Sequence, residues 1–134
     1  DVTGSDNIFR IQSQVIRSIA EKESCVIVGR CSDYVLRNEE NLVSVFVRAG
    51  IDFRTERIMK SCDMKEKSAL DYILKTDKRR SSFYNFYTNR IWGSVDNYDI
   101  SVNTERVDTD GAAQVIVDYV KQIKHPNPKE SEIY

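Results

Sequence analysis

The stretch Cys25-Val26-Ile27-Val28-Gly29-Arg30 decides how the rest of the chain is read. It is short, rich in β-branched residues and without polar alternation, which predicts a strand buried on both faces in the middle of a parallel α/β sheet. Open α/β sheets take their ligands in the crevice beyond the carboxyl ends of the strands. Gly29 would let a ligand approach the backbone there, and Arg30 offers a planar fork of donors suited to a phosphate. The plain alternative is a strand end followed by an ordinary surface arginine.

Outward from this stretch, the pattern alternates between elements. Upstream, Asp6 is placed to cap a helix running to about Glu23, with Ile8, Ile11, Val15 and Ile19 at helical spacing and Phe9, Ile16 and Ala20 widening the stripe that should pack on a sheet. Downstream, Ser32 to Arg37 reads as a short helix, and Leu42 to Arg48 as a second apolar strand that also ends in an arginine. Two such strands joined through a helical segment predict a parallel βαβ unit.

Beyond Arg48 the spacing predicts a helix from Asp52 to about Cys62. A second helix should start at Asp63, whose offset to Glu66 is that of a capping box, and carry Ala69, Leu70, Ile73 and Leu74 on its apolar stripe. The same face then passes through Asp77, Arg80, Tyr84 and Tyr87, and Asp77 and Arg80 stand close enough along the helix to pair. Ile91-Trp92-Gly93-Ser94 breaks the helix, Ile100 to Asn103 reads as a third strand, and Asp108 or Thr109 caps a last helix through Ile123. Pro126 and Pro128 stop it, leaving a charged tail over residues 125–134.

The chain has 134 residues, 40% hydrophobic and 31% charged, which is enough for one core; one domain over residues 1–124 is expected. Twenty basic and twenty-one acidic side chains leave a net charge of −1, so whole-molecule attraction to nucleic acid or anionic lipid is not expected and any anion site must be local. Three cysteines without C-x-x-C spacing suit reduced thiols in a cytoplasm. No apolar run reaches the length of a membrane span, and no residue set is assigned to a metal.

Residues Lys75 to Arg90 hold the densest chemistry: Lys75, Lys78, Arg79, Arg80 and Arg90 interleave with Phe83, Tyr84, Phe86 and Tyr87. Three readings stay open. The run is a solvated helix face with some core aromatics, a single-stranded nucleic-acid surface built from stacking rings and arginines, or a mobile phosphate clamp of a phosphoryl-transfer enzyme.

Cys25 to Leu36, Val43 to Ala49, Arg54-x-x-Arg57, Thr76-Asp77-Lys78-Arg79-Arg80 with Phe83-Tyr84-x-x-Tyr87, Trp92-Gly93 and Asn97-Tyr98-Asp99, in this order and spacing, resemble the cytidylate-kinase-like family of P-loop nucleoside monophosphate kinases. The resemblance spans nearly all of residues 7–123. It implies a three-layer α/β fold with a five-stranded parallel sheet and helices on both faces, phosphoryl transfer from ATP with Mg²⁺ to a nucleoside monophosphate, and an arginine-bearing lid at about residues 75–92. By position, Arg30 resembles the arginine that holds the monophosphate and Asp33 is the nearest acid to it. Arg54 and Arg57 lie on the helix leading to the lid. Asp77, Arg79 and Arg80 resemble lid residues contacting ribose and phosphates, the two arginines serving catalysis.

The chain departs from the family at two places. Cys31 stands where cytidylate kinases carry an acid directly after the Gly-Arg pair, and Gly4, Gly29, Gly50, Gly93 and Gly111 form no G-x-x-x-x-G-K-[ST] loop. In this fold that loop follows a central first strand, so the expectation is that these residues supply the acceptor site and lid of a longer protein and are inactive alone. The alternative is a non-catalytic descendant that binds a nucleotide or a protein.

Overall fold

The computed structural model describes residues 4–128. It is a helix-rich α/β chain in two compact units: the described residues up to Val43 with those from His125 onward, and Ser44–Lys124.

In the first unit, helix α1 (Gly4–Lys22) is followed by the four-residue α2 (Ser32–Val35). Asp6 is therefore the third residue of α1, within its first turn, and not the cap expected of it. Ile16, Val35 and Leu36 form a small core, with Phe9, Ala20, Ile27 and Leu42 packed against it. The rest of the predicted α1 stripe meets no sheet among the described residues: Ile8, Ile11, Val15 and Ile19 are exposed.

Cys25 to Val28 form no strand, contrary to the sequence reading. Val26 is 93% and Val28 89% exposed, while Ile27 alone turns toward the core. A strand is defined by a ladder of hydrogen bonds to a neighbour, and no described residue supplies that neighbour. After it, Gly29, Arg30 and Cys31 all adopt φ between 57° and 73°, a left-handed run that is cheap only for the glycine. The turn closes where the Ser32 N–H donates to the Gly29 carbonyl at 3.1 Å and the Val35 N–H to the Cys31 carbonyl at 2.9 Å. The chain returns at Asn127, whose N–H donates to the Glu40 carbonyl and whose side-chain amide donates to the Arg37 carbonyl, each at 2.8 Å. The rest of the predicted tail, 129–134, lies outside the described residues.

In the second unit, β1 (Val45–Arg48) and β2 (Ile100–Asn103) pair in parallel, with Val45 opposite Ile100 and Arg48 opposite Asn103. The predicted third strand is thus present with its bounds, whereas the strand from Leu42 is shorter at its start and pairs with Ile100–Asn103. Two strands are all the described residues contribute to the sheet, against the five that the resemblance implies. Asp99 pins one end of the pair: its carboxylate accepts the Ser44 N–H at 2.7 Å, and its own N–H donates to the Ser44 carbonyl at 2.8 Å. At the other end the Thr104 N–H donates to the Arg48 carbonyl at 2.8 Å.

The crossover between the strands contains α3 (Ile51–Cys62) and α4 (Glu66–Thr88), which pack against each other around buried Thr55, Ala69 and Ile73. Asp63 does not open α4. It closes α3 in the left-handed conformation (φ 49°), and Lys65 precedes α4 instead, so the spacing to Glu66 forms no capping box. At the far end Thr88 is buried; its hydroxyl donates to the Tyr84 carbonyl at 2.6 Å and accepts the Arg90 N–H at 3.1 Å. Helix α5 (Thr109–Gln122) packs on β2, and Asp108 caps it as predicted, its carboxylate accepting the Gly111 N–H at 2.7 Å.

Candidate functional site

The second unit has a cleft of about 280 Å³ at the carboxyl end of its sheet. Strand β1 contributes Phe46, Val47 and Arg48; α3 contributes Phe53, Arg54 and Arg57; α4 contributes Asp77 and Arg80. Trp92 and Thr104 complete the wall. Four arginines and one aspartate thus line one cleft.

Each arginine is placed by the element that carries it. Arg48 ends β1, where the ladder to Thr104 holds its backbone. Arg54 and Arg57 are three apart on α3 and so share a face. Arg80 follows Asp77 by the same offset on α4.

Arg54 and Asp77 form an ion pair at 2.7 Å, with side chains 32% and 25% exposed. The sequence reading paired Asp77 with Arg80; the partner is instead a residue of the facing helix, already presented across the α3–α4 contact. Asp77 therefore neutralises one of the four cations. Arg48, Arg57 and Arg80 have no side-chain hydrogen bond or ion pair among the described residues. Three unpaired arginines lining one cleft are chemistry for a multiply charged oxyanion, because each guanidinium fork matches two oxygens of a phosphate.

Arg79 takes a different side of α4. It borders a groove with Tyr72, Lys75 and Lys78, and its guanidinium donates to Thr76 Oγ1 at 3.3 Å. Arg30 and Asp33 belong to the first unit, Arg30 in the left-handed turn and Asp33 in the first turn of α2. Beside them Cys31 is buried, and burial, with the nearby Asp33 carboxylate adding to it, pushes its thiol up from 9.0 to about 11. It is a neutral packing thiol, while Cys25 and Cys62 are exposed and free.

Arg48, Phe46, Phe53, Trp92 and Thr104 were not singled out as site residues by sequence reasoning. A signal existed for Arg48, which closes an apolar strand just as Arg30 closes the Cys25 stretch. It existed too for Trp92-Gly93, whose break after a basic helix marks a loop.

ATP and Mg²⁺ are implied by the resemblance alone. The sequence contains no phosphate-binding glycine loop, and the described residues include no group of three or more His, Cys, Asp or Glu side chains that could hold a metal ion. No helix of the described residues is long and apolar enough to cross a membrane.

No curated protein matches the chain. The crystal structure of an uncharacterized protein from Eubacterium ventriosum ATCC 27560 resembles it with a TM-score of 0.85 at 36% identity, over 90% of this chain and 69% of that one. The profile of the cytidylate kinase-like family matches residues 1–106, a span that includes β1, α3, α4, β2 and every arginine of the cleft. By that match, the chain belongs to the cytidylate kinase-like family.

Proposed function

We propose that this chain binds the phosphate of a nucleoside monophosphate in the cleft of the second unit and presents it for phosphoryl transfer from ATP. The observation that carries the reading is the set of three unpaired guanidinium groups, Arg48, Arg57 and Arg80, around one cleft at the carboxyl end of a parallel strand pair in a kinase-like family member. Phosphoryl transfer asks little covalent work of the protein; positioning and charge neutralisation supply most of the catalysis.

Arg48 and Arg57 would bind the acceptor phosphate and screen its charge from an approaching donor. Arg80, on the far wall, would add positive charge where it develops on the transferring group. Of the two arginines read as catalytic, Arg80 has the geometry for this and Arg79 lines the other groove. Asp77 keeps Arg54 oriented and leaves its second oxygen to accept a hydroxyl of the ligand.

A second reading is a non-catalytic descendant that keeps the same arginine-lined cleft as a binding site. A coupled ADP-release assay of the natural full-length protein against the nucleoside monophosphates separates the two. Turnover that falls by about a hundredfold or more in Arg80→Ala, with Arg80→Lys rescuing poorly, is expected of a kinase. Binding of a nucleoside monophosphate without turnover would assign the second reading, and neither binding nor turnover would overturn both.

A further inference from the structure

The loop Ile91-Trp92-Gly93-Ser94 is tied down more firmly than a connection between α4 and β2 requires. The Trp92 N–H donates to Asn85 Oδ1 at 2.9 Å, the Asn97 side-chain amide donates to the Ile91 carbonyl at 2.7 Å, and the Gly93 N–H donates to the Tyr98 hydroxyl at 3.2 Å. Gly93 itself is obligatory. Its φ of 81° is left-handed, and a Cβ there would lie 3.3 Å from Phe46 Cζ. These bonds come from α4 and from the segment before β2, while Phe46 of β1 packs against Gly93 and the Trp92 ring, so the backbone that carries Trp92 is held in place.

That side chain is Trp92, the single tryptophan of the chain, and it lines the arginine cleft. Its ring meets Phe46 at 5.4 Å and 81°, an edge contact that does not sandwich the indole. No cation sits over it among the described residues, although four arginines share the cleft. Phe53, 39% exposed, lines the same space. A planar apolar wall beside free guanidinium groups is complementary to a phosphate ester whose organic part is itself a planar ring, because stacking and charge pairing are then satisfied together.

We propose that Trp92 is a specificity-determining residue of the cleft, stacking on the ring of the bound phosphate ester and selecting ring-bearing esters over ring-less ones. The inference rests on the proposed phosphate site, and adds to it a residue and a direction of selectivity. A packing role for Trp92 against Phe46 makes the opposite prediction, since it would affect every ligand of the cleft alike.

The test is calorimetric titration of the protein with cytidine 5′-monophosphate, adenosine 5′-monophosphate, ribose 5-phosphate and inorganic phosphate, alongside the intrinsic fluorescence of Trp92. The two nucleotides are expected to change the Trp92 emission and to bind more tightly than ribose 5-phosphate. Trp92→Leu is expected to weaken the nucleotides about tenfold and ribose 5-phosphate less than about twofold, with Trp92→Phe recovering most of the loss. Circular dichroism confirms that each variant is folded, and Trp92→Phe serves if the leucine variant is not. Equal weakening of all four ligands, or no weakening of the nucleotides, overturns the assignment of Trp92 while leaving the phosphate site intact. Failure of every phosphate to bind the parent protein overturns the phosphate site, and the assignment of Trp92 with it.

Discussion

Arg30 shows how a single residue carries a backbone cost that its neighbours share. Its φ of 57° places a non-glycine side chain in the left-handed region, between Gly29 and Cys31 in the same region. Such a residue costs about 1–2 kcal/mol relative to a right-handed one, and glycine recovers part of that. Arg30→Gly is therefore expected to stabilise the protein by about 0.5–1 kcal/mol in urea denaturation; a destabilised variant would show that the Arg30 side chain holds the turn. Cys31, next in the turn, gives a pH signature. Its thiol is raised to about 11 by burial, so the folded protein holds that proton more tightly than the unfolded chain does. This contribution is fully present below the ordinary thiol range and is lost as pH rises toward 11. Denaturation at pH 8 and above should show stability falling with pH in the parent and falling less in Cys31→Ala, and neutral-pH alkylation should modify Cys25 and Cys62 but spare Cys31. At this scale the sequence identified most of the charged groups but not their partners. Asp77 was matched to Arg80 because spacing along one helix is visible, whereas Arg54, 23 residues away on another helix, becomes a partner only through packing.

Elements whose signals are local were legible. Strand β2 has the predicted bounds, and α5 begins at its predicted aspartate cap, which needs only the three residues to Gly111. Asp108→Ala is expected to cost about 1 kcal/mol, read from the shift of the denaturation midpoint; no shift would place the carboxylate outside the cap. Helix α4 was legible as a helix and illegible at its start, because a carboxylate three residues before Glu66 serves equally as a cap or as the left-handed end of the preceding helix, and Asp63 is the latter. Its core face packs against α3. Ile73, 4% exposed, should cost about 2–5 kcal/mol on truncation to alanine, far more than Leu74→Ala on the exposed side. The Cys25 stretch illustrates the limit. β-Branched composition predicts a strand, yet a strand exists only through its neighbour, and Val26 and Val28 stand exposed where none of the described residues pairs with them.

At the scale of the whole molecule, the near neutrality of the chain conceals a strongly local charge distribution. A net charge of −1 coexists with four arginines and one aspartate around a single cleft, which is the arrangement for a small anion and not for a polyanion tracked along a surface. The family was legible because its motifs recur in order along the chain, although singly each is weak. The cleft was only half legible, since Arg54, Arg57, Asp77 and Arg80 lie in those motifs while Arg48, Phe53 and Thr104 enter through the folding of β1, α3 and the end of β2 around one space. The most direct test of the phosphate cleft is calorimetric titration of this chain with inorganic pyrophosphate at low ionic strength, comparing the parent with the Arg57→Ala/Arg80→Ala double variant. One pyrophosphate should bind per chain, more weakly as salt is added, and the double variant, with unchanged circular dichroism, should lose at least about tenfold in affinity. Equal affinity in parent and variant, or no binding to the parent, would contradict the account.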